Sequence, residues 1–194
     1  MRNITLFVED EAHEAVLGTL VKRLASEFHI VVEINFRSAR GGFSRTLSKL
    51  REYIRDIKRG YEITPDLLVI CTDGNCKGYT ARKQEIEQEI TEYGGAIIYA
   101  IPDPHIERWL LLDSTAFKNV LGRGCPAPPK KCERDLFKRK LLDAILGAGV
   151  RPLLGGIEHA EDIVNEMNLE YLEQADESLG RLLKALRDSF KVWI

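Results

Sequence analysis

The chain has 194 residues, with 28 Lys and Arg against 30 Asp and Glu, and a formal net charge of −2. That length suits one substantial core, and the near-balance of charge excludes a bulk basic field for nucleic-acid binding, so any such contact needs a local patch. No run of about 20 apolar residues exists, and MRNITLFVEDEAHE carries charges where a secretory signal has its apolar centre, so the sequence reads as cytoplasmic with no membrane segment.

The first element is ITLFV, Ile4 to Val8, a β-branched and aromatic run. Behind it Val16, Leu17, Leu20, Val21 and Leu24 recur at helical spacing. IVVEINF, Ile30 to Phe36, reads as a second strand. The loop RSARGG leads into a helix whose face is Leu47, Leu50, Ile54 and Ile57, with Gly60 as its stop. DLLVICT is a third strand, nearly continuous in apolar residues as a strand covered on both faces should be. A helix from about Tyr79 to Tyr93 follows, then AIIYAIP as a fourth strand and HIERWLLLDSTAFKNVL as one amphipathic helix, with Trp109 a core aromatic. Alternating strands and helices predict an α/β fold, a mainly parallel sheet of about four strands with helices on both faces.

After Leu121 the pattern changes, because GRGCPAPPKKCERD has no apolar period. The organisation expected is therefore an α/β domain over 1–121, a linker or loop over 122–133, and a C-terminal helical extension over 134–194 with three helical patterns. Leu182, Leu183, Leu186 and Phe190 would pack on the core or make a homodimer interface. Cys71, Cys76, Cys125 and Cys132 are too few for a disulfide scaffold and fit a reducing compartment. Zinc is the sharper alternative, pairing Cys71 with Cys76 and Cys125 with Cys132, although both spacings exceed the usual two to four intervening residues.

Ligands of open parallel sheets bind outside the carboxyl ends of the strands, and acids collect there. Strand one ends in Glu9, Asp10 and Glu11; strand three in Asp73 and Asn75; strand four in Asp103, His105 and Glu107. Glu9, Asp73 and Asn75 offer the hard oxygen donors that magnesium or manganese prefers. The bland reading of each acid is a turn residue or a helix first-turn charge. In RSARGGFSRT, Arg37, Arg40 and Arg45 with Gly41 and Gly42 surround a helix start, a workable phosphate cradle. His13, on the first helix, reads as structural or exposed rather than catalytic.

LFVEDEAHEAVLGTLVKRL, VICTDGN and IPDPHIERWLLLD resemble the TOPRIM-like domains of small bacterial proteins, related to the nuclease domains of OLD-family proteins and more distantly to topoisomerases and primases. The likeness spans roughly residues 1–115. It implies a divalent-metal-dependent phosphodiesterase or nuclease acting on DNA or RNA, in a phage-defence or toxin setting, with an ATPase or other defence-system component as a protein partner. Glu9 and Asp73 match the family's strand-one glutamate and the first aspartate of its aspartate-x-aspartate. Asn75 stands at the second aspartate, where an amide oxygen ligates without adding charge, and Asp10 stands where those nucleases have glycine. Magnesium or manganese on Glu9, Asp73 and Asn75 would then activate water, with Asp103 or Glu107 helping a second ion and Arg40 near the scissile phosphate. The alternative is a catalytically weak or inactive TOPRIM-like module that binds nucleic acid or protein, which Asn75 and the neutral overall charge favour. A receiver-like regulator phosphorylated on Asp73 lacks the expected lysine after a fifth strand.

Overall fold

The computed structural model describes all 194 residues. Strands β1 (Arg2–Val8), β2 (Val32–Ser38), β3 (Leu67–Cys71) and β4 (Ile97–Ala100) form one sheet in the order β2-β1-β3-β4, with every neighbouring pair parallel. Helices α1 (Glu11–Glu27), α2 (Phe43–Lys58) and α3 (Gly78–Glu89) connect the strands. After β4 come α4 (Ile106–Leu110), α5 (Ser114–Leu121), α6 (Leu136–Gly147), a 3-10 turn at Ile157–His159, α7 (Ala160–Glu166), α8 (Leu169–Ala175) and α9 (Glu177–Lys191). The protein is an α/β parallel-sheet fold with C-terminal helices.

The period-2 alternation of a strand explains the two cores. Ile4, Leu6 and Val8 of β1, with Leu67, Val69 and Cys71 of β3, pack against α1 and the C-terminal helices. Phe7, Leu68 and Ile70 point the other way, into Leu50 and Ile54 of α2 and Ile86 of α3. Burial on both faces is why LLVIC is apolar at every position, all five residues being buried. At the sheet edge β2 is mostly exposed. It keeps Phe36 against Gly18 of α1, where a Cβ would lie 2.8 Å from the ring.

The two cores differ in thickness, 36 buried residues on the α1 face against nine on the other, because every C-terminal helix joins the α1 side. Leu182, Leu183, Leu186 and Phe190 lie in that larger core.

Three expectations need correction. HIERWLLLDSTAFKNVL is two short helices, because Asp113 acts as an N-cap: its Oδ1 accepts from the N–H groups of Thr115 and Ala116, both at 3.0 Å. LEYLEQADESLGRLLKALRDSF also breaks in two, at Asp176, whose Oδ1 accepts from Leu179 N–H at 2.9 Å. The cysteines pair differently from the zinc arrangement. Cys76 and Cys132 form a disulfide, with a Cα–Cα separation of 5.5 Å, while Cys71 and Cys125 are free and buried apart from it. Chain separation misleads here, because the loop after β3 folds back against residues far along the sequence. No helix is long and apolar enough to cross a membrane.

Candidate functional site

The chain runs from β1 outward to β2 and then crosses back over β1 to β3. The strand order therefore reverses at the carboxyl ends of β1 and β3, where an open α/β sheet forms its crevice. Val8 pairs with Cys71, so Glu9 and Asp73 leave the sheet side by side. Glu9 Oε2 accepts a long bond from the Asp73 N–H at 3.4 Å.

Asp73 is buried at 8% exposure, and its carboxylate is fully engaged. Oδ1 accepts from the Ile106 N–H at 2.9 Å and faces His13 Nε2 at 3.2 Å, while Oδ2 faces His105 Nδ1 at 3.1 Å. The other nitrogen of His13, Nδ1, lies 2.7 Å from Asp10 Oδ1. A ring with a carboxylate on each nitrogen donates from both, so His13 is an imidazolium. Burial alone would lower the His13 pKa, but the charge of Asp73 and the bond to Asp10 raise it well above the ordinary histidine value. His105 is raised chiefly by its hydrogen bond to Asp73. Against the upward push of burial, His13 and His105 hold Asp73 far below the carboxylate range. Asp10, His13, Asp73 and His105 thus make one hydrogen-bonded chain across the crevice.

Two acids flank this chain without such support. Burial, then the charge of Asp73, raises the pKa of both Glu9 and Glu107. Glu107 is 4% exposed and its Oε2 has no hydrogen-bond partner, while Oε1 is 3.8 Å from Lys138 Nζ. Beside them opens a cleft of about 480 Å³, lined by Asp10 and Glu11 at the start of α1, Arg40, Glu107, and residues of α6 and the loop before the 3-10 turn.

The predicted residues divide. Glu9, Asp73 and Glu107 gather at this edge. Arg40 lines the cleft and pairs with Glu11 at 2.7 Å. Gly42 has φ +80°, and a Cβ there would sit 4.0 Å from Glu9 Oε1. No side chain caps α2 at Gly42, so its first N–H groups remain open. Arg45 folds over Gly41, where a Cβ would meet its Cδ at 2.7 Å. Arg37 does not join them. It pairs in register with Phe7, on the α2 face, and binds Glu62 at 2.7 Å beneath the Tyr53 ring. Asp103 is held by Lys130 at 2.6 Å. Asn75 sits beyond the turn at φ +43°, its N–H bonded to Pro104 O at 3.1 Å.

A cage built from Glu9, Asp73, Asn75 and Asp103 does not fit this arrangement, and no group of three or more acidic, histidine or cysteine side chains is set to enclose an ion. The residues suit a looser site. Magnesium is commonly held by one or two carboxylates together with substrate phosphate and water. The repulsion of Glu9 and of Glu107 by Asp73, with one buried Glu107 oxygen unpartnered, is the charge pattern that a cation relieves.

Sequence reasoning missed His13, whose signal is the three-residue spacing from Asp10 that puts both on one helix face. It also missed Arg82, which is buried on α3, donates from Nε to the Asp73 carbonyl at 3.0 Å and stacks 3.6 Å from the Phe43 ring. Nothing in the pattern of α3 marks that arginine as inward. Lys138 and Arg139 of α6 escaped because their segment reads as an extension. No protein-family model, no curated protein and no solved structure matches the chain.

Proposed function

We propose that the crevice hydrolyses phosphoester bonds of nucleic acid with a magnesium or manganese ion, the activity that the TOPRIM-like resemblance implies. One observation carries the reading: at the switch point of the sheet, the rigidly held Asp73 repels both Glu9 and Glu107, two under-neutralised acids, and Glu107 lines a cleft that also presents Arg40 and Lys138. Acids alone would repel a phosphate, and cations alone would bind it inertly.

Glu9 and Glu107, with water and substrate phosphate completing the set, are the groups that would hold the ion, which would supply Lewis-acid polarisation of the phosphate and an activated water. His13 and His105 fix the Asp73 carboxylate so that it does not reorganise when charge develops. Arg40 and the open N–H groups of α2 receive phosphate oxygens. His105 is bonded to Asp73 through Nδ1, a contact that raises its pKa, and in its protonated form it would offer Nε2–H to the leaving oxygen.

A second reading is favoured by a specific fact: both Asp73 oxygens already have donors. On that reading the crevice is a TOPRIM-like binding module with weak or no catalysis. A cleavage assay on single- and double-stranded DNA and RNA, with magnesium or manganese, separates the two. The hydrolytic reading expects metal-dependent cleavage lost in Glu9→Gln and Glu107→Gln. Cleavage absent from the wild type, or unchanged in both variants, removes it.

A further inference from the structure

The charge of this chain is unevenly distributed. Residues 130–140 hold Lys130, Lys131, Arg134, Lys138, Arg139 and Lys140 against Glu133 and Asp135, a net +4 in a chain whose total is −2, so the rest of the molecule carries −6. Lys130, Lys131, Arg134, Lys138 and Arg139 are exposed, Arg134 with 96% of its side chain in solvent, while Lys140 is half-buried beside the 126–129 loop. Their partners are exposed pairs, Arg139 with Glu133 at 2.6 Å and Arg134 with Asp135 at 3.5 Å. Such pairs contribute little and yield readily to a stronger anion.

The segment is fastened to the crevice at two points. Cys132 is joined to Cys76, on the loop that follows Asp73, and Lys130 is bonded to Asp103 at the end of β4. Farther along, Lys138 and Arg139 form one wall of the 480 Å³ cleft. The same cleft is lined by Leu154 and Ile157, apolar surfaces on which a nucleobase can lie. Exposed basic side chains therefore recur along the segment from Lys130, Lys131 and Arg134 to the cleft wall at Lys138 and Arg139. The cleft has room for a terminal nucleotide and not for a duplex.

We infer that residues 130–140 are the binding track for a single nucleic-acid strand, which delivers its end to the cleft beside Glu107. The identity of the anion as a phosphodiester rests on the phosphoester reading; the track itself rests on the charge distribution and the two fastenings.

The experiment uses the full chain and a double variant, Lys131→Glu and Arg134→Glu, neither of which belongs to the proposed hydrolytic machinery. Binding of a fluorescent single-stranded oligonucleotide is read by anisotropy across salt concentrations. Hydrolysis of bis(4-nitrophenyl) phosphate with manganese is read separately. The expected result is strand binding that weakens with salt, at least a tenfold loss in the variant, and a salt slope shallower by about 1.4, since each of two lost phosphate contacts on a single strand removes about 0.7. The variant's thermal midpoint and its hydrolysis of the small substrate stay at wild-type values. Equal strand binding by wild type and variant, or no binding by the wild type at low salt, overturns the track. Strand binding lost in the variant while neither protein hydrolyses anything supports the track and removes the hydrolytic reading instead. Duplex binding as tight as single-strand binding overturns the single-strand assignment.

Discussion

His13 holds two carboxylates apart inside the protein, and its removal should be felt more than that of any acid around it. It is 1% exposed, and Asp10 and Asp73 each accept from its ring. Replacing it with Gln leaves two like charges with no cation between them. Breaking a buried charge pair of this kind costs about 3–5 kcal/mol, so His13→Gln should lower the urea midpoint by a corresponding amount. The pH dependence has a definite sign. His13 and His105 are raised in the folded state, so each contributes stability that is complete below the unfolded histidine value of about 6.5 and is lost as pH rises through the folded value. Asp73 is depressed, so its contribution is complete above the unfolded aspartate value of about 3.9 and is lost only as pH falls below it. Thermal scans of metal-free protein should therefore show stability falling from pH 6.5 toward pH 9, with a smaller fall in His13→Gln. A wild-type midpoint that is flat or rising over that range would sink the imidazolium assignment. Glu9, Asp73 and Glu107 were legible because a strand end plus an acid places a carboxylate at the crevice whatever else the chain does. His13 and Arg82 were not, because helical spacing says which residues share a face and not which face looks into the site.

Short elements around α4 are where one-dimensional pattern and structure part most. HIERWLLLD is apolar enough to continue a helix, yet Asp113 stops it by capping α5 and accepting from the Asn168 N–H at 2.9 Å with its second oxygen. The aspartate-serine-threonine run is a legible cap signal that the apolar period overrode. The link to Asn168 was not legible, since it joins residues 55 apart. Asp113→Ala should cost about 1–2 kcal/mol for the lost cap and somewhat more for the stranded Asn168 N–H. Asp113→Asn, which keeps the acceptor for α5, should recover most of it in the same chemical denaturation experiment. The Cys76–Cys132 disulfide gives a second element-scale expectation. It closes a loop with 56 residues of separation, for which chain entropy predicts about 4 kcal/mol of stabilisation. Thermal unfolding with and without reductant should differ accordingly, and Cys132→Ser should abolish that difference. A reductant effect that persists in Cys132→Ser would mean that another thiol is responsible.

At the scale of the whole molecule, the division into an α/β part and a helical extension describes the sequence and not the energetics. Leu17, Leu20 and Leu24 of α1 share one buried cluster with Leu141 and Ile145 of α6 and with Ile163, Leu183 and Phe190. The bond from Trp109 Nε1 to Ser178 Oγ at 2.9 Å and the Arg108–Asp176 ion pair tie α4, which carries Glu107, to the start of α9. The C-terminal helices thus complete the core under β1 and β3 and hold the site helix in place. Residues 1–121 expressed alone would expose the α1 face of the sheet, and should give no sharp near-ultraviolet spectrum and no cooperative thermal transition. In the full chain, Phe190→Ala removes a ring with 0% exposure, far from the crevice. It should cost about 3–5 kcal/mol while unfolding still occurs in a single transition, because the larger core is built from both parts and only the nine-residue cluster on the α2 face belongs to residues 1–121 alone. Two transitions in that variant, with the first confined to the C-terminal helices, would show that the extension folds as its own unit and that the site helix α4 answers to the sheet alone.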